Sequence, residues 1–216
     1  LFSGVESPSD TGNYDAEWSP DGTKITYTTF QNGISSVMLY DIGEQAMYPL
    51  STLDVEAFHS TWNPNGESVL YVIKDYFASI WEISINGVDM GQITDSGNVS
   101  NYHPAWDKEG KFILYSQHDG ANVPSLVKLY SENFGSKLED KISIAGITGA
   151  FPVSSPVFTV DSEEILFESW PDGINHDIYS MNIDGTNLVR LTINSSYDFD
   201  PDFFHNRLEP EGETDS

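Results

Sequence analysis

The stretch Asp15-Ala-Glu-Trp18-Ser-Pro-Asp-Gly22 decides the fold, because the same pattern returns three times. It comes back as His59-Ser-Thr-Trp62-Asn-Pro-Asn-Gly66, His103-Pro-Ala-Trp106-Asp-Lys-Glu-Gly110 and Ser155-Pro-Val-Phe158-Thr-Val-Asp-Ser162. The anchors Trp18, Trp62, Trp106 and Phe158 stand 44, 44 and 52 residues apart. Nine residues after each anchor comes another ring: Tyr27, Tyr71, Tyr115 and Phe167. Those rings sit in β-prone runs such as Val69-Leu-Tyr-Val-Ile73. Asp21-Gly22 and Asn65-Gly66, lying between, tolerate positive φ and close tight hairpins. A third β-prone run comes next in each unit, for example Ile80-Trp-Glu-Ile-Ser-Ile85 and Asp177-Ile-Tyr-Ser-Met-Asn182. A fourth short strand closes it at 47–50, 92–94, 142–144 and 189–192. Four hairpin-linked strands repeated every 44 residues or so describe a propeller blade. Helical periodicity is absent.

The expected fold class is therefore all-β, a β-propeller of four-stranded antiparallel blades. Four complete blades span 15–51, 59–95, 103–148 and 155–192, in one domain covering 1–208. Residues 1–4 read as the last strand of a further blade. Residues 198–204 read as a first strand, with Phe203 45 residues after Phe158. Together they form a split partial fifth blade. Residues 209–216 make an acidic polar tail. Three arrangements fit these ends: a piece of a longer propeller, a small ring sealed by its own terminal strands, or an open array whose edges pair with other chains.

Trp-Ser-Pro-Asp-Gly at 18–22, the aromatic second strands and Asp177-Ile-Tyr-Ser-Met-Asn-Ile-Asp-Gly-Thr-Asn187 with Arg190-Leu-Thr192 resemble the TolB-like (WD40-like) propeller repeat. The likeness covers nearly the whole chain. It implies fold more than activity, because such propellers serve as binding scaffolds and as domains of peptidases and lyases. The third unit departs from it with Asp107-Lys-Glu-Gly110 and extra residues around 131–152. The fourth departs with Thr159-Val-Asp-Ser162, which lacks the proline and the glycine.

Thirty-four acidic residues against nine basic ones leave a formal charge of −25. Such a surface repels phosphate backbones and anionic lipid, so neither nucleic acid nor a membrane surface is an expected partner. Solubility in a salty or extracellular setting accounts for it equally well. Cysteine is absent, so no disulfide or thiolate metal site can form. No apolar run is long enough to span a membrane, and no leader-like segment opens the chain.

Alternation along the first strand puts Ala16/Trp18, Ser60/Trp62, Pro104/Trp106 and Pro156/Phe158 on a face that packs between blades. The opposite face, with Asp15/Glu17, His59/Thr61, His103/Ala105 and Ser155/Val157, would line the central channel. Asp15, His59, His103, Ser155 and Asp200 then form a ring whose imidazoles and carboxylates could ligate a transition metal. The resemblance to lyase propellers implies a metal site on that axis. Asp198, Asp200 and Asp202 alternate, and shared carboxylates suit calcium. Strand ends wetted by channel water explain the same polar residues.

No Gly-x-Ser-x-Gly elbow occurs, and His118, His176 and His205 have no paired nucleophile pattern. Asn98-Val-Ser and Asn194-Ser-Ser match glycosylation triplets, a pattern common by chance. Tyr76-Phe77 and Trp170 fall in rim loops, where partners bind. The expectation is a non-catalytic interaction or self-assembly scaffold, periplasmic or at the cell surface, needing no cofactor unless calcium. The alternative is the propeller domain of an enzyme, gating a serine peptidase or acting as a metal-dependent polysaccharide lyase.

Overall fold

The computed structural model describes residues 11–52, 54–94, 97–118, 124–135, 139–146 and 151–202. Among them, four antiparallel sheets succeed one another along the chain, each with its four strands in sequential order. Blade 1 contains β1 (Thr11–Trp18), β2 (Lys24–Gln31), β3 (Ile34–Asp41) and β4 (Ala46–Pro49). Blade 2 contains β5 (Glu56–Trp62), β6 (Ser68–Lys74), β7 (Ala78–Ser84) and β8 (Asp89–Gln92). Blade 3 contains β9 (Ser100–Trp106), β10 (Phe112–His118), β11 (Ser125–Tyr130) and β12 (Asp140–Lys141). Blade 4 contains β13 (Ser154–Phe158), β14 (Glu164–Ser169), β15 (Asp177–Asn182) and β16 (Val189–Arg190). A three-residue 3₁₀ turn, Ser131–Asn133, is the single helical element among the described residues. The chain is a four-bladed propeller array, as expected.

The core lies between blades, and the period of two decides which side chains enter it. Val37 and Leu39 of blade 1 meet Trp62, Val69 and Tyr71 of blade 2. Leu70, Val72 and Ile80, on the other face of blade 2, meet Trp106, Ile113 and Tyr115. Leu114 and Leu126 meet Phe158, Ile165 and Phe167. The two middle blades are thus apolar on both faces, and each of these three anchor rings wedges onto the blade before it. The Trp62 indole also donates to the Glu17 carbonyl of blade 1 at 3.2 Å. Seven of the eight predicted packing rings are buried: Tyr27, Trp62, Tyr71, Trp106, Tyr115, Phe158 and Phe167.

Trp18 is the exception, at 60 % exposed. Among the described residues, no blade seats it as blades 1, 2 and 3 seat Trp62, Trp106 and Phe158.

The fourth strands end earlier than predicted, and in blades 1, 2 and 4 a shared device follows them. Successive N–H groups of Leu50 and Ser51 both donate to the Val37 carbonyl. Ile93 and Thr94 do the same to Ile80, and Leu191 and Thr192 to Ile178. The hydroxyl of each second residue then accepts the N–H of the same third-strand residue: Ser51 from Val37 at 2.9 Å, Thr94 from Ile80 at 3.0 Å, Thr192 from Ile178 at 2.9 Å. The closing Leu-Ser, Ile-Thr and Leu-Thr pairs of the repeat are therefore clips that satisfy edge backbone groups. Gly185 holds another join. Its φ is +84°, and a Cβ there would run into the Ser143 carbonyl of the preceding blade.

Two expectations need correction or restriction. Strict alternation fails in every first strand, because pairing with the second strand slips beside the residue of the predicted ring. The slip is a β-bulge, and it re-aims the side chains beyond it. Glu17, Thr61 and Ala105 consequently enter seams between blades and not the channel: Thr61 donates to Glu17 across the blade 1–2 seam at 3.3 Å, and Ala105 joins the blade 3–4 core. As for the split fifth blade, 198–202 form no strand among the described residues. Leu1–Gly4, Phe203–Phe204 and the 209–216 tail lie outside the described residues.

Candidate functional site

The bulge gives the ring residues one backbone conformation. Asp15, His59, His103, Ser155 and Asp200 have φ of 52°, 50°, 51°, 48° and 52°. The left-handed region costs an L residue roughly 1–2 kcal/mol, and Asn, Asp and His enter it most readily among non-glycines. The repeated choice of Asp and His therefore has a conformational cause as well as any chemical one. Asp200 shares the conformation although no strand forms around it.

Three of the five ring residues touch in a line. Asp15 Oδ2 lies 3.8 Å from His59 Nε2, longer than a hydrogen bond. The His59 and His103 rings stack with centroids 3.8 Å apart and planes 28° apart. His103 Nδ1 lies 3.3 Å from Ser154 Oγ and 3.5 Å from Ser116 Oγ. Burial pushes His59 down to about 4 and His103 to about 2, the latter helped by repulsion from His59 and His118. Both imidazoles are neutral at physiological pH. Burial, with repulsion from Asp200, lifts Asp15 to about 6. Glu17, desolvated in the seam and repelled by Asp202, rises to about 8.

A pocket of about 470 Å³ opens beside this line. His103, Ser154 and Ser155 form one wall, and Glu168 with His176 another. Tyr197, Phe199 and Asp200 complete it. His176 Nδ1 bonds Glu168 Oε1, and its ring stacks on Trp170 with centroids 4.5 Å apart and planes 8° apart. Tyr197 meets His176 edge-on at 5.6 Å. Ser155 and Asp200 of the predicted ring thus join His103 on the pocket, and Asp200 also acts on Asp15.

The metal expectations meet a poor fit. Among the described residues, no group of three or more His, Asp or Glu side chains could hold a metal ion. The three alternating aspartates also diverge: Asp198 accepts from Asn194 at 2.9 Å, while Asp200 and Asp202 act on Asp15 and Glu17 respectively.

Sequence reasoning does not single out Glu168, His176, Tyr197 and Phe199 as a site. One signal is legible. Glu168 pairs with Ile178 across the β14–β15 hairpin, which brings it beside His176. Residues 194–197 carry no repeat signal, and 198–199, read as the start of a first strand, form none. Of the predicted rim aromatics, Tyr76 is 86 % exposed, edge-on to Phe77 at 4.9 Å.

The four sequential blades superpose on solved propellers. TolB from Acinetobacter baumannii matches with a TM-score of 0.70 at 16% identity, over 88% of this chain and 45% of that one. The fold is that of a TolB-like β-propeller. TolB from Agrobacterium tumefaciens, described as putative, gives 0.70 at 19% identity, over 87% of this chain and 68% of that one. The chain therefore spans less than half the length of the first TolB. An oligogalacturonate lyase in complex with manganese superposes at 0.63 and 14% identity, over 85% of this chain and 54% of that one. At such identities only the TolB-like fold is shared. No protein-family model and no curated protein sequence matches the chain.

Proposed function

We propose that the chain is a non-catalytic interaction and self-assembly scaffold of the periplasm or cell surface. Trp18 carries this reading. Its counterparts Trp62, Trp106 and Phe158 are 4 %, 9 % and 6 % exposed, each seated on a neighbouring blade. Trp18 has the same motif around it and presents its ring to solvent, on a blade whose Met47 and Tyr48 are exposed as well. An exposed apolar surface of that kind is what a protein contact covers.

The axis supports the same reading. Ser154 and His103 form a serine–histidine contact, but an imidazole held near 2 is too weak a base to activate a hydroxyl at neutral pH. The enzyme alternative draws on the lyase-like fold and the two axial histidines. The acidic pocket, with Glu168 and Asp200, opposes an anionic uronide substrate. Elemental analysis tests that alternative: stoichiometric metal lost in His59→Ala and His103→Ala would favour it.

Light scattering after size exclusion, over a wide concentration range, tests the scaffold. The mass is expected to rise with concentration, and Trp18→Glu to return the monomer. A chain that stays monomeric at every concentration removes self-assembly.

A further inference from the structure

The pocket beside blade 4 takes no part in blade packing. We propose that it binds an organic cation bearing N–H donors, a guanidinium or alkylammonium group, between the Glu168 carboxylate and the Tyr197 and Phe199 rings. The inference deepens the scaffold reading and, where the cation is a partner's side chain, rests on it.

Every polar group facing the cavity is equipped to accept. Glu168, only 8 % exposed, uses Oε1 on His176, and no hydrogen bond reaches its Oε2 among the described residues. In the neutral tautomer whose Nδ1–H donates to that carboxylate, His176 Nε2 accepts. Ser155 Oγ also lines the cavity. Ser155 is 8 % exposed, and its hydroxyl has no partner among the described residues. A ligand in the cavity would meet it.

Charge points the same way. Among the described residues, no Lys or Arg lines the cavity, while Glu168 and Asp200 do. The field of Asp200 is felt at Asp15, whose carboxyl it helps to hold above the usual range. Tyr197 and Phe199, 60 % and 64 % exposed, add ring faces that attract cations. An anion would be repelled. A neutral sugar would leave both carboxylates unbalanced. The volume, about 470 Å³, suits a small ligand or one long side chain.

Calorimetric titration with agmatine at ~0.15 M salt, where exposed charges are screened beyond about 8 Å, tests the proposal. Saturable binding of one agmatine per chain is expected. Glu168→Gln should weaken it roughly tenfold or more, the loss of one charged contact. Tyr197→Ala removes an exposed ring without touching the core and should also weaken it several-fold. Asp161→Asn and Asp184→Asn, at exposed turns, should leave it unchanged. A blocked arginyl peptide distinguishes the sources: tighter binding than agmatine indicates a partner's side chain, and equal binding a free amine. Absence of saturation overturns the proposal. So does equal weakening by the turn variants, or equal binding of the neutral citrulline peptide. Self-association measured on the same samples separates the failures. If the mass still rises with concentration while agmatine does not bind, the scaffold stands and the pocket assignment falls.

Discussion

Trp62 and Trp18 occupy equivalent places in their blades and meet opposite fates. Trp62 is 4 % exposed, with its indole N–H on the Glu17 carbonyl, while Trp18 is 60 % exposed. The local sequence is nearly the same, so the difference comes from the neighbour. A propeller blade does not bury its own anchor; the blade before it does. Stability in such an array is a sum of seams, and a ring without a seam contributes little.

That contrast can be broken first with the rings themselves. Trp62→Ala should cost about 3–5 kcal/mol in denaturant unfolding, as for other buried large-to-small changes. Trp18→Ala should cost less than ~1 kcal/mol, as for an exposed site. Similar losses for both would contradict the seam account.

The edge clips sharpen it next. Thr94 is fully buried and accepts the Ile80 N–H. Thr94→Val strands that donor and should cost about 1–3 kcal/mol. Thr192→Val, at the more open blade 4 edge, should cost less, read from the same unfolding curves.

An effect of pH is also expected at the seam behind Trp62. Folding raises Glu17 from 4.5 to about 8, so its contribution is complete below pH 4.5 and is lost as pH rises through 8. His59 works in the other direction. Its folded value of about 4 lies below the usual 6.5, so its contribution is present above pH 6.5 and lost as pH falls through 4. Thermal melts should show Glu17→Gln gaining on the parent as pH rises from 4.5 to about 8, and the two keeping a constant gap below 4.5. Parallel melting curves for the two proteins across that range would contradict this ionisation.

The strand count, the anchor spacing and the ring of Asp15, His59, His103, Ser155 and Asp200 are legible in the sequence because they repeat. Repetition also shows why each ring residue is polar, though only the backbone reveals the shared left-handed bulge. A strict period of two therefore misplaces Glu17, Thr61 and Ala105, since one inserted residue turns everything after it. The exposure of Trp18 is not legible, because its motif is intact and the difference lies in what the described blades place against it. The pocket is hidden for a different reason. Glu168 and His176 come from one hairpin, while Tyr197 and Phe199 come from a segment that forms no strand, and only the fold brings them together.

Acrylamide quenching of variants retaining one anchor tryptophan apiece addresses the seams most directly. Indole 18, in dilute solution, should be quenched almost as freely as a short peptide's, and indoles 62 and 106 should be strongly protected. Protection of all three in dilute monomer, or free quenching of 62 and 106, would mean that these rings do not join the blades as described.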